Sequence, residues 1–304
     1  MSDTTTSLRR KIDSAGDLQS VVRTMKAVAA ASIGQYEKST AALADYYRTI
    51  ELGLHLCLSI HSEKPLIAQT KNQKGQSQIA AIVFGSDQGL VGQFNDTLAD
   101  FAIQALNALP EKAATWAVGE RVQAHLQDAG QPTVGLFAVP GSAAAITQLV
   151  GKMLLETEAW HGEGAISELH LFYNRPTIGA AYAPVSQKIL PLDDEWRQSF
   201  SHLAWPTKTR PQVLGTGEHT LKALIREYLF VTLFRACAES LASENASRLA
   251  AMQRADKNID DLLEDLKGKF HRLRQSAIDE ELFDVISGFE ALKTTHGGAN
   301  ELNG

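Results

Sequence analysis

Cysteine is almost missing from this 304-residue chain, which carries only Cys57 and Cys237. Two such distant thiols build no disulfide framework; they read as buried small side chains of a protein kept in a reducing, cytoplasmic setting. Long apolar runs are missing too. The best stretch, Leu52–Ile60, falls well short of the ~18 uncharged apolar residues of a membrane-crossing helix, so membrane association is expected only through partners. The N-terminus has no apolar signal core and meets acidic Asp3 before any base, so neither a secretory leader nor an organellar presequence is expected. Basic charge is also in short supply. With 29 Lys+Arg against 35 Asp+Glu and a net charge of −6, the chain lacks the basic excess of a general nucleic-acid binder. At 44% apolar and 21% charged residues, it is equally far from the composition of disorder.

Proline is absent from residues 1–64 and 212–304; all nine prolines fall between Pro65 and Pro211. Proline breaks helix interiors, so two proline-free ends around a proline-containing middle predict helical arms on a mixed body. From Ser7 to about Ile60 the first arm reads as one helix. Ile12, Leu18, Val21, Val22, Met25, Val28 and Ile33 recur near three- and four-residue spacing, with alanines between them small enough for close helix contact. Pro65 and the polar run Thr70–Ser77 read as a linker.

The middle alternates. Strands are expected at Ile79–Phe84, Thr115–Val118, Val134–Val139, Leu169–Tyr173 and Ala181–Leu190, the last two joined by the short Asn174–Gly179 turn. Helices are expected at Phe94–Leu109, Glu120–Asp128 and from a Ser142 cap through Glu158. Such alternation predicts an α/β body with a largely parallel sheet and an antiparallel edge hairpin.

From Glu218 to about Leu292 only Gly268 and Gly288 weaken a second helix, ~110 Å long at 1.5 Å per residue. Asn245, Met252, Ile259, Leu266 and Leu273 lie seven apart, with Leu249, Asp256, Leu263, Phe270 and Ala277 four residues on. That is a coiled-coil seam, interrupted at Asn245 and Asp256. A helix this long needs a partner, and the N-terminal arm is available. The fold expected is therefore an α/β body inserted between two long terminal helices that form an antiparallel coiled coil, with the end of the longer C-terminal arm projecting alone. The corresponding divisions are 1–64, 65–211, 212–292 and a polar tail at 293–304.

Chemistry is thinly represented. The cluster Gly85-Ser-Asp-Gln-Gly89-Leu-Val-Gly92 follows a strand and precedes a helix, where phosphate loops sit. It is not G-x-G-x-x-G and lacks the lysine and hydroxyl of a P-loop, so a structural turn is the better reading. The nine histidines show no metal-binding spacing, and no G-x-S-x-G elbow surrounds Ser142 or Ser186. Asp193-Asp194-Glu195 beside Trp196 and Arg197 read as a solvated loop. The second arm carries an acidic band (Asp260, Asp261, Glu264, Asp265), a basic one (Lys267, Lys269, Arg272, Arg274) and a second acidic one (Asp279, Glu280, Glu281). Pairs such as Asp265–Lys269 support the helix, and the bands are expected to meet charged partner surfaces.

Leu241-Ala-Ser-Glu-Asn-Ala-Ser-Arg-Leu-Ala-Ala-Met252, followed by Arg274-Gln275, Ile278, Glu281-Leu282 and Ile286-Ser287-Gly288, resembles the C-terminal helix of the γ subunit of F-type ATP synthases. Gly89-Leu-Val-Gly92 with Asn95, Ser186-Gln187, Leu190-Pro191-Leu192, Met25 and Val28-Ala29-Ala30 are similar to that family's motifs in order and spacing. The resemblance implies the central-stalk rotor of a rotary ATPase, which couples ion flow through a membrane ring to ATP synthesis or hydrolysis. Its partners would be the α and β subunits, an ε subunit and the c-subunit ring, at the cytoplasmic face of a bacterial inner membrane. It implies no catalytic residue, cofactor or metal in this chain. By position it assigns Met25, Arg248, Arg274 and Gln275 to rotor–stator contact. Lys26, Leu18, Asp279 and the polar tail depart from the family pattern and point to a divergent branch. Two other readings are a coiled-coil scaffold unrelated to energy conversion and a nucleotide-dependent enzyme with helical arms.

Overall fold

The computed structural model describes residues 4–60, 78–162, 166–178, 180–192, 194–201, 203, 205–209, 211–213 and 217–297. The Thr70–Ser77 linker, His61 and Asp193 lie outside them. The chain begins with helix α1 (Thr5–Ile60) and ends with helix α6 (Glu218–Gly297). Between them run β1 (Gln78–Phe84), α2 (Phe94–Asn107), β2 (Ala113–Val118), α3 (Glu120–Asp128), β3 (Thr133–Phe137), α4 (Ala143–Gly162), β4 (Ile166–Thr177), β5 (Ala180–Leu190) and α5 (Asp194–Ser201). The chain divides into two compact units, one of residues 1–26 with 252–304 and one of residues 27–251.

In the larger unit the five strands form one sheet in the order β3-β2-β1-β4-β5. β3, β2, β1 and β4 are parallel neighbours, and β4 and β5 form the expected antiparallel edge hairpin. Alternate residues of β1 face opposite ways. Ile79, Ala81 and Val83 join Leu98, Ala102, Val122 and Leu126 under α2 and α3. Ala80, Ile82 and Phe84 join Ile146, Val150 and Met153 of α4 and Leu233, Ala238 and Leu241 of α6 on the other face. A sheet buried on both faces needs apolar residues at every position of its inner strands, and β2 is buried throughout. Ser142 Oγ accepts the Ala145 amide hydrogen bond at 3.4 Å, the capping role its position predicts.

A third cluster joins Ile50, Leu54, Cys57 and Leu58 of α1 to Leu221, Ile225 and Tyr228 of α6 and Phe200 of α5. Here the terminal helices run antiparallel: Tyr46 Oη donates to Glu227 at 2.7 Å, and Leu224 lies against Gly53. Helix α5 corrects the loop expected around Asp194 and Glu195. Its apolar face sets Trp196 and Phe200 edge-on to Tyr228. Both cysteines are buried.

In the smaller unit α1 buries Leu8, Ala15 and Val22. Helix α6 buries Met252, Ile259, Leu263 and Leu266 there, the heptad positions expected. Spacing also singled out Leu18 and Val21 for burial, yet both are more than half exposed. α1 carries two stripes at helical spacing. The one containing alanine faces inward, because a small side chain permits close approach of two helices.

Candidate functional site

The glycine loop after β1 is a joint between strand ends. Asn95 of α2 accepts from the Ser86 amide at 3.0 Å and donates to Ser86 Oγ at 2.8 Å, and Ser86 Oγ donates to the Gln88 carbonyl. The Asp87 carboxylate accepts the Glu120 amide at 3.1 Å and the Val139 amide at 2.9 Å, tying the carboxyl end of β1 to those of β2 and β3. The close approach explains two glycines. A Cβ at Gly85 would lie 2.3 Å from Val122 Cβ, and one at Gly119, where φ is +109°, 2.6 Å from the Ser86 carbonyl. Leu90 sits at the tip with φ +63° and is exposed. The loop carries no lysine or arginine.

In parallel α/β sheets the ligand crevice opens at the carboxyl ends of the strands where the strand order reverses, here between β1 and β4. That place is taken by α6. Ser240 Oγ donates to the Phe84 carbonyl at 3.0 Å, Ser243 Oγ to the Asn174 carbonyl at 3.0 Å, and Ser247 Oγ to the Val91 carbonyl. Spacings of three and four put the three hydroxyls on one helix face. Each satisfies a buried backbone acceptor that would otherwise cost free energy. One turn away Glu239, also buried, accepts from Arg175 Nε of β4 at 2.9 Å and from Arg235 Nε at 2.7 Å. The Arg175–Glu239 pair is a second link between sheet and helix.

Glu244 and Arg248 form a nearly buried pair on α6, Nη2 to Oε1 at 2.7 Å with side-chain exposures of 7% and 12%. Arg248 Nη1 also donates to Asn245 at 3.3 Å. Burial pushes the Glu244 carboxyl up; Arg248 opposes that and Asp87 adds to it. Burial raises the Tyr36 hydroxyl as well, with Glu244 contributing.

In the smaller unit the interruption expected at Asp256 is a polar layer. Asp256 accepts from Lys26 Nζ at 2.7 Å, Arg23 Nε at 3.1 Å and Gln19 Nε2 at 3.4 Å. Asp260 accepts from Gln19 and lies 3.6 Å from Arg23 Nη2. The Lys26 hydrogen bond is the first cause holding the Asp256 carboxyl below its usual range. Asp265 and Lys269 pair at 2.7 Å, both half exposed.

Of the residues assigned to partner contact, Met25 is half buried, Arg248 is nearly buried and ion-paired, and Arg274 and Gln275 are exposed. Met25, Arg274 and Gln275 belong to the smaller unit and Arg248 to the larger. Toward its end α6 exposes Ile278, Leu282, Phe283, Val285 and Ile286. Five large apolar side chains left in water on one helix mark a surface that another protein covers. Among the described residues no helix is long and apolar enough to cross a membrane, and no group of three His, Cys, Asp or Glu could hold a metal ion.

Three comparisons bear on this arrangement. A family model described as ATP synthase matches residues 4–292. The ATP synthase gamma chain of Moorella thermoacetica is 26% identical over 289 residues, covering 94% of this chain and 98% of that one. That of an Arthrobacter species is 26% identical over 296 residues, covering 94% and 97%. In fold, the chain is similar to one in the rotor of Euglena gracilis mitochondrial ATP synthase, with a TM-score of 0.62 at 15% identity and coverage of 90% and 98%. It is also similar to one in the central stalk and c-ring structure of the Tetrahymena thermophila mitochondrial enzyme, with a TM-score of 0.53 at 16% identity and coverage of 77% and 99%.

Proposed function

This chain belongs to the gamma-chain family of ATP synthases and is a central-stalk rotor subunit of that complex; on that premise we propose how it acts. It contributes no catalytic group. It couples ion translocation through a c-subunit ring to ATP synthesis or hydrolysis on an α₃β₃ hexamer by presenting different faces of a helical shaft to three catalytic sites in turn. The α, β and ε subunits and the c ring are its partners, and its place is the cytoplasmic face of a bacterial inner membrane. Residues 1–64 and 212–292 supply the shaft, 65–211 the body and 293–304 a polar tail.

The observation that carries this reading is the far part of α6, where Ile278, Leu282, Phe283, Val285 and Ile286 stand exposed on a regular helix. A shaft acts as a ligand: each orientation must bind open and closed states of a catalytic subunit with different free energies, or it shifts nothing. Arg274 and Gln275, exposed and with no side-chain bond to another described residue, suit direct contact with stator loops; a guanidinium pairs bidentately with carboxylates. Met25 and Arg248 are assigned to the same contact. Arg248 reaches it as a held side chain, since Glu244 fixes its orientation.

Reconstitution with α and β subunits of the same organism tests the reading. The expected result is a stable α₃β₃γ assembly with ATPase activity above that of α and β alone. Failure to co-assemble with folded α and β would refute it, and would favour a scaffold unrelated to energy conversion.

A further inference from the structure

Within the larger unit, α1, α6 and the end of β4 leave a groove of about 550 Å³ between them, the size of a small-molecule site. Its floor is aliphatic: Ala41, Leu43 and Ala44 of α1 and Val231 and Ala242 of α6 line it. The alanines of α1 account for the opening. Both are exposed, and a methyl group is too short to bridge to the facing helix.

Two guanidiniums share the same groove. Arg175 and Arg235 line it, and both spend Nε on one carboxylate, Glu239. Glu239 is 9% exposed, against 42% and 51% for the arginines, so the acid is used up while the cations remain open to solvent. Arg175 Nη2 donates to the Tyr173 hydroxyl, and its Cζ lies 5.5 Å from the Tyr173 ring centroid, which fixes the plane of the fork. Arg175 Nη1 and both Nη groups of Arg235 make no hydrogen bond among the described residues. Two cations against one anion leave one positive charge. The other acids at hand do not cancel it: Glu51 is faced by Arg48 as well as Arg235, and Glu37, which lines the groove, is exposed, where water screens it.

We propose that this groove binds a small aliphatic carboxylate, its anion held by the free Nη groups of Arg175 and Arg235 and its alkyl chain laid on the floor. Each part of the site selects. A guanidinium edge meets a carboxylate in two parallel hydrogen bonds. One unspent positive charge matches a monoanion. A phosphate dianion exceeds that charge and has no apolar body to cover the alanines, whereas a neutral alkyl chain gives the forks nothing to pair with. The groove lies apart from the end of α6 assigned to stator contact, so the proposal does not rest on the rotor role and is measured on this chain alone.

The test is titration of the full-length chain, with leucine and valine methyls labelled for NMR, by sodium octanoate. Saturable binding with a Kd below about 1 mM is expected, read as shifts of the Leu43 and Val231 methyls. Butanoate should bind at least about tenfold more weakly, since each fully buried CH₂ is worth about fourfold. Inorganic phosphate and 1-octanol, each with half of the required chemistry, should shift neither methyl. R235Q leaves Glu239 paired with Arg175, so the chain should still fold, and octanoate affinity should drop at least about tenfold with the lost charged hydrogen bonds. R235K keeps the charge but not the fork and should weaken binding too. A44L fills the groove from an exposed position with every charge in place and should abolish binding; it decides the matter if R235Q fails to fold. Undiminished binding in R235Q or A44L, 1-octanol binding as well as octanoate, or no saturable shift in the native sequence would overturn the proposal. So would shifts at Leu282 and Val285 alone, which would place the carboxylate on the exposed end of α6.

Discussion

Replacing Arg248 by alanine strands a carboxylate. Glu244 is 7% exposed and draws its nearest positive charge from Arg248 at 2.7 Å. Removing one member of a buried pair costs about 3–5 kcal/mol, because the other keeps its desolvation penalty. The partial exposure of Arg248 argues for the lower end, about 3 kcal/mol. In a unit of this size 1 kcal/mol moves the melting temperature by roughly 2–4 °C, so a fall of about 6–12 °C is expected for R248A. The pH dependence identifies the cause. Without Arg248, burial and Asp87 both push the Glu244 carboxyl up with nothing to oppose them. A carboxyl whose folded pKa is raised disfavours the folded state once it ionises, so the deficit should be small near its unfolded value and grow as pH rises toward the folded one. Thermal unfolding of the full-length chain across pH 5 to 8 reads both quantities. The double variant E244Q/R248M, which removes both charges, should recover most of the loss. A deficit independent of pH, or a double variant no better than R248A, would refute the reasoning. The comparison also separates a defect in assembly from one in folding for a residue assigned to partner contact.

Four further outcomes are expected. R274A/Q275A removes exposed side chains, so it should leave thermal melting of the isolated chain within about 0.5 kcal/mol of the parent while lowering ATP-driven ion pumping per ATP hydrolysed in the assembled complex; unchanged coupling would remove these residues from the contact. G119A forces a Cβ to within 2.6 Å of the Ser86 carbonyl at φ +109° and should destabilise the larger unit by about 3 kcal/mol or more, read by denaturant midpoint. L90G relieves a left-handed leucine at the loop tip, and after the entropic cost of glycine should stabilise by about 0.5 kcal/mol. Asp256 titrates below its usual range because Lys26 and Arg23 hold its anion. Its contribution is therefore present above the unfolded carboxylate value and lost as pH falls through the lowered one; the readout is the amide protection factor, exchange corrected for its intrinsic pH dependence, in residues 19–26, which should fall in acid and in high salt.

Local order was easier to read from the residues than contact across the chain. Helix Glu120–Asp128 coincides with its expected span, since a glycine precedes it and Gly130 follows. The edge hairpin was legible as two strand-like runs, but its turn was read too long: residues 174–177, expected in the turn, continue β4 and pair with β5, since polar side chains do not stop an edge ladder. The inward face of α1 was not. Leu18 and Val21 repeat as well as Val22 does, and only the partner decides which stripe is covered. The serine contacts of α6 were out of reach for another reason. Their acceptors are carbonyls of Phe84, Asn174 and Val91, and a backbone oxygen carries no residue-specific mark in a sequence. Asp256 read as a flaw in the seam because its cations lie some 230 positions away. Arg274 and Gln275 could be named only through resemblance, since an exposed side chain leaves no trace in periodicity.

The three serines of α6 set a limit on motion about the helix's own axis. A hydroxyl donating to a fixed carbonyl tolerates only small displacements before its bond is lost. One residue's worth of rotation, ~100°, would turn Ser240, Ser243 and Ser247 away from the sheet together and present charged neighbours to buried carbonyls. α6 is thus splined into its sheet: within the larger unit it cannot spin as a rod in a sleeve, and a twist applied to this stretch of helix is borne by the strands of the body.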